Sequence, residues 1–136
     1  MLVKVLRDRV DRAEEDPLSE LRSLAKAAGA IVVDGLTQSL SKIVPRTYIG
    51  KGKALEMAER VEANDANLII FDHDLSPGQL RELEKFVECK ILDRSELILD
   101  IFASRAQTHE AKLQVELAQL QYTAPRLRGM WTHLER

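Results

Sequence analysis

Leu68-Ile69-Ile70-Phe71-Asp72-His73-Asp74-Leu75-Ser76-Pro77-Gly78-Gln79, residues 68–79, decides the fold. Its first four residues are a short, unbroken apolar run, the pattern of a strand buried on both faces in a parallel sheet. Asp72-His73-Asp74 closes the strand. Ser76 then stands at a helix cap, Pro77 at the first helical position and Gln79 three residues after the cap, which predicts a capping box. Leu80, Leu83, Phe86 and Val87 supply the buried stripe of that helix, and Ile91-Leu92 a short last strand.

Upstream, the same alternation holds. Residues 2–6 (LVKVL) alternate apolar and charged and predict a first strand, followed by a charged loop over 7–16. Asp16-Pro17 opens a helix whose apolar positions are Leu18, Leu21, Leu24, Ala25 and Ala28, and Gly29 ends it. Ala30-Ile31-Val32-Val33 predicts a strand continuing through Leu36 to Leu40. A loop with Pro45 leads to Ile49-Gly50-Lys51-Gly52-Lys53 and a helix over 54–63. The order β-α-β-α-β-α-β, followed by helix, predicts an α/β fold, a small mostly parallel sheet flanked by helices.

Composition fits one domain with an appendage. The chain has 136 residues, a formal net charge of −2 and 45% apolar residues, too apolar for disorder and too balanced for a DNA-wrapping protein. The single cysteine, Cys89, excludes a disulfide framework and a multi-Cys metal site. No apolar run approaches the roughly 18 residues of a membrane span, and no signal peptide opens the chain. The expectation is a cytoplasmic protein with no membrane partner.

Residues 95–124 contain no Gly or Pro and are rich in helix formers, with a bend predicted near 107–109, where Thr108 can restart the helix. Apolar residues at Leu97–Leu99 and Ile101–Ala103 predict deep burial of the first part. In the second part, at ~100° per residue, Leu113, Leu117, Leu120 and Ala124 share one face. Ala111, Val115, Ala118 and Tyr122 share nearly the opposite face. Two apolar faces need two neighbours, since a buried leucine contributes roughly 1.5–3 kcal/mol. The sheet supplies one; the other comes from outside the chain, from a second copy, or from the tail folding back. Leu113, Val115, Leu117, Leu120 and Tyr122 are therefore candidates for a helix-partner interface.

Four motifs admit chemical readings. Gly50-Lys51-Gly52-Lys53 before a helix can place N–H groups and two ammonium groups around a phosphate, or be a turn with solvated lysines. It lacks P-loop spacing. Asp72 and Asp74 follow a buried strand where α/β folds collect ligands and could face Mg²⁺, or serve as turn residues with His73 solvated between them. His109 and His133 have no partner at ligand spacing, so no metal site is assigned. Cys89 reads as an inert thiol, and Asp93-Arg94 as a structural ion pair. Arg126, Arg128, Trp131 and Arg136 combine cations with an aromatic ring, suited to RNA, or to an ordinary helix end with Trp131 packed on the core.

YIGKGKALE (48–56), FDHDLSPGQLRELE (71–84), LDRSELILDIFASRAQTHEAKLQVELAQLQY (92–122) and PRLRGMWTHLER (125–136), in this order, closely resemble the N-terminal domain of the HflX-type ribosome-associated GTPases. The resemblance covers about residues 17–136. It implies an α/β subdomain, here 1–94, and a helical, coiled-coil subdomain, here 95–136, of which only the first long helix would be present. It implies further that the second long helix and the GTPase domain lie beyond this chain, which would make the sequence a truncated one. GTP and Mg²⁺ would belong to that parent protein, with no hydrolysis, and no cofactor, in this fragment. The family implies action on the large ribosomal subunit, with the helical tip reaching rRNA through Arg126, Arg128, Trp131, His133 and Arg136. ATP binding by the α/β part stays open. The alternatives are an independent nucleotide-binding α/β protein, or an adaptor whose two-faced helix docks a partner or forms a homodimer.

Overall fold

A computed structural model of the chain describes residues 1–7, 13 and 15–126. Four strands, β1 (Leu2–Leu6), β2 (Gly35–Ser39), β3 (Leu68–Phe71) and β4 (Lys90–Leu92), form one sheet in the order β2-β1-β3-β4. All three pairings are parallel. Among the described residues the helices that accompany it are α1 (Ser19–Ala27), α2 (Lys51–Ala63), α3 (Pro77–Glu84), α4 (Arg94–Arg105) and α5 (His109–Thr123), the last running into a 3-10 turn over Ala124–Arg126.

Strand periodicity divides the core into two. Val3, Val5, Ile69, Phe71 and Ile91 point to one face, where they meet Ala54, Met57 and Val61 of α2 and Leu80 and Leu83 of α3. Leu2, Ile70 and Leu92, aligned across β1, β3 and β4, point to the other, against Leu21 and Ala25 of α1 and Leu97 and Ile101 of α4. Ser76 caps α3 by accepting from the Gln79 N–H at 3.1 Å, and the Gln79 side chain accepts from the Ser76 N–H at 2.9 Å. The capping box thus forms with Pro77 at its start. Gly29, at φ +87°, ends α1 where a side chain would be strained. Gly35 allows β2 to approach α1, since a Cβ there would lie 2.5 Å from Leu18 Cδ1.

Several expectations are corrected. The helix expected to open at Asp16-Pro17 begins at Ser19, with Leu18 and not Asp16 as its cap. Ala30–Val33 forms no ladder; β2 begins at Gly35, because Leu2, the first residue of β1, registers with it. Ala30 and Val32 still pack on the core while Ile31 is exposed. The second helix starts at Lys51 and not at Ala54, with Gly50 as its cap. The bend over 107–109 is a full reversal. The backbone of Ala106 is extended, Thr108 caps a new helix through the Ala111 N–H at 3.0 Å, and α5 runs back along α4. Gln119 Nε2 reaches Asp100 Oδ1 at 3.2 Å, and the Tyr122 hydroxyl bonds Asp93 at the start of α4. In α4 only Leu97 and Ile101 are buried; Phe102 is exposed. The sheet's second face is therefore closed in part by α4, from the stretch that the sequence assigns to the helical part.

Candidate functional site

In an open parallel sheet, ligands collect beyond the strands' C-terminal ends where the strand order reverses. Here that point lies between β1 and β3, and side chains fill it. His73 Nε2 accepts the Val5 N–H at 2.9 Å, extending the β1–β3 ladder past the last residue of β3. A ring nitrogen that accepts is unprotonated, so the imidazole is neutral in this arrangement. Its ring stacks on Tyr48 with centroids 4.7 Å apart. Tyr48 holds φ at +67°, kept there by a pair of backbone bonds with Val44 at 2.7 and 3.1 Å. His73 is thus a half-buried structural group and not the solvated turn residue expected.

Asp72 is buried and bonds Arg94, with Lys4 Nζ 3.6 Å away. Arg94 continues to Glu20 at 2.6 Å and holds that carboxyl below the usual range. Asp74 turns the other way, accepting from the N–H and hydroxyl of Ser95 at 3.1 and 2.6 Å. The two carboxylates diverge and do not share a ligand position. Among the described residues no group of three or more His, Cys, Asp or Glu is placed to hold a metal. Burial pushes the Cys89 thiol up, which keeps it protonated and unreactive.

At Gly50–Lys53 the helix start is partly engaged. The Gly50 N–H donates to Gln38 Oε1 at 2.9 Å. Lys53 pairs with Glu56 at 2.9 Å, and that contact depresses the Glu56 carboxyl. Lys51 is exposed.

Asp93 and Arg94 do not pair with each other; at the strand-to-helix corner their side chains part. Asp93, 1% exposed, accepts from the Glu96 N–H at 3.0 Å, the Leu75 N–H at 3.1 Å and the Tyr122 hydroxyl. Arg126 lies across the same seam. It donates to the Leu75 carbonyl at 2.5 Å and the Tyr122 carbonyl at 2.9 Å, and its guanidinium sits 3.9 Å over the Tyr122 ring. With its side chain 11% exposed, Arg126 is committed to the interior and does not stand at a tip. Arg128, Trp131, His133 and Arg136 lie outside the described residues.

The two faces of α5 separate as the spacing required. Tyr122 and the half-buried Ala111, Val115 and Ala118 lie on the α4 side, so Val115 and Tyr122 belong to an internal contact and not to a vacant interface. Leu113, Leu117 and Leu120 are 50%, 56% and 57% exposed. Sequence reading missed Glu96, Lys4 and Tyr48, whose contacts come from distant segments.

The family model for the GTP-binding GTPase N-terminal region matches residues 15–103, and that for the GTP-binding GTPase middle region matches 105–136. The chain belongs to the HflX family, as its N-terminal region. It is 52% identical to the GTPase HflX of Escherichia coli K12 over 126 residues, covering 93% of this chain and 29% of that one. It is 46% identical to that of Flavobacterium psychrophilum, covering 97% of this chain and 32% of the relative. This HflX-family chain thus spans about 30% of the length of the curated relatives it matches. The same fold occurs in a GTP-binding protein from Sulfolobus solfataricus in complex with GDP, at a TM-score of 0.66 and 23% identity over 97% of this chain and 40% of that one. The SsGBP–GDP complex matches at a TM-score of 0.69 and 22% identity, over 93% and 36%. The boundary between the two family models falls within the last turn of α4, just ahead of the reversal into α5. Among the described residues no helix is long and apolar enough to cross a membrane.

Proposed function

We propose that this chain is the ribosome-directed, regulatory N-terminal region of an HflX-type GTP-binding protein that acts on the large ribosomal subunit. The match of nearly this whole chain to about 30% of the length of HflX proteins carries the reading. GTP and Mg²⁺ are handled by the part of such a protein outside the matched stretch, so the chain alone binds and positions but does not hydrolyse GTP. The filled crevice between β1 and β3 supports this over an independent nucleotide-binding role.

In this reading Arg128, Trp131 and Arg136 approach rRNA, and Lys51 with the N–H groups of Gly52 and Lys53 offers a secondary phosphate contact. Arg126 is left out because it braces the seam. The test is co-sedimentation of a full-length HflX-type protein with large subunits across a salt series. Arg128→Glu/Arg136→Glu is expected to weaken binding about 10-fold or more and to flatten the salt dependence by about two counterions. Lys51→Ala/Lys53→Ala has a smaller effect of the same kind. Unchanged affinity and salt slope in the arginine variant would reject the reading.

The exposed Leu113, Leu117 and Leu120 seat the second long helix of the full-length protein. Each contributes roughly 1.5–3 kcal/mol once covered. In that protein, Leu113→Lys/Leu117→Lys is expected to make the helical arm sensitive to limited proteolysis while the α/β layer stays resistant. An arm as resistant as wild type rules out that seat, and concentration-dependent dimers abolished by the same change assign the ridge to a second copy.

A further inference from the structure

The seam between α4, α5 and the 3-10 turn encloses a charge imbalance. Asp93 and Arg126 offset one another at 3.7 Å. Glu96, its side chain 13% exposed, adds a second carboxyl 3.9 Å from Arg126 Nε, and that nitrogen is buried without a hydrogen-bond partner. We propose that Asp93, Glu96, Tyr122 and Arg126 form a proton-operated latch that clamps α5 to the α/β layer while Glu96 is neutral and loosens when it ionises. The inference goes beyond the ribosome reading and holds whatever the arm docks on.

Groups on every side of the seam set the sign. Along its own helix Glu96 faces the carboxylates Asp93 and Asp100, which oppose its ionisation. From β4 Lys90 favours it, and from the 3-10 turn so does Arg126. From α5 comes the Tyr122 hydroxyl, already committed to Asp93, and ahead of α3 the Leu75 carbonyl, already taken by Arg126. Burial is the largest influence and Asp93 the next; together they push the Glu96 carboxyl up to about 7. When α5 lifts away, Glu96 meets water and returns toward its ordinary 4.5. The closed form therefore holds more protons than the open form between these values. Closure is strongest below the lower value and is lost as pH rises through the upper one. The leaving proton goes to solvent.

Hydrogen exchange of the α5 amides, corrected for intrinsic rates, reads the opening constant on the 136-residue chain. It is expected to rise on the order of 40-fold between about pH 5 and pH 7, and under about twofold more by pH 8. Amides of α2 serve as the control and should lack this step. Glu96→Gln, which keeps size and removes the charge, should flatten the profile. An α5 opening constant that does not change across this range, or a slope retained by Glu96→Gln, would overturn the latch. So would a Glu96 carboxyl carbon that titrates at its ordinary value in carbon-detected NMR.

Discussion

Asp93→Ala is expected to lower the unfolding free energy by about 3–5 kcal/mol, measured by urea denaturation with linear extrapolation. Three losses combine. The α4 cap disappears, worth about 1 kcal/mol in the usual case. The buried Leu75 N–H and the Tyr122 hydroxyl each lose an acceptor, at about 1–3 kcal/mol for a group left unsatisfied. Arg126 loses a carboxylate in a seam where its own Nε already lacks a partner. Against a typical total of about 5–15 kcal/mol, the variant is marginal. A double-mutant cycle with Tyr122→Phe should return a coupling above about 1 kcal/mol, since both changes break one bond. A loss below 1 kcal/mol for Asp93→Ala, with no coupling, would show that the seam does not hold α5.

Asp72→Ala comes next, at about 2–4 kcal/mol. The carboxylate is 5% exposed and joins β1, through Lys4, to α4, through Arg94. Its removal takes a counter-charge from two cations at the sheet's C-terminal edge. Because the group is buried, the loss should persist in high salt, unlike that of a surface pair such as Lys85–Glu82. The same measurement separates the structural role from a ligand role. A carboxylate kept for Mg²⁺ or phosphate chemistry would cost little stability when removed, and added Mg²⁺ would raise the unfolding midpoint of wild type but not of the variant. That pair of results would return Asp72 to the list of binding residues.

The elements that sequence reading identified share one property: their signals are local. Residues 68–71 are apolar without interruption because both faces of β3 are covered. Ser76, Pro77 and Gln79 specify a helix start within four residues. The Thr108 cap is equally local. The reversal behind it is not, because a cap marks where a helix begins and carries no information on the direction in which it sets off. Ala30–Val33 is apolar and largely β-branched, as a strand should be, yet a ladder needs a neighbour in register, and β1 offers none before Leu2. Arg94 looked bound to its neighbour Asp93, but a strand-to-helix corner turns successive side chains apart, and each found a partner from another element.

The parallel α/β order, the Ser76 and Thr108 caps and the leucine ridge of α5 were legible in the residues alone, because apolar spacing and capping act over a few residues, whereas the expected Asp16 cap gave way to Leu18. Tertiary structure decided where the charges went. Val5 meets His73 across 68 positions, Leu75 meets Arg126 across 51 and Asp93 meets Tyr122 across 29. Only the crossovers of a four-stranded sheet and the fold-back of α5 bring those groups within hydrogen-bond reach. Once water is excluded there, each polar side chain takes the nearest acceptor, donor or counter-charge, which turned a presumed ligand crevice and a presumed RNA arginine into parts of the frame.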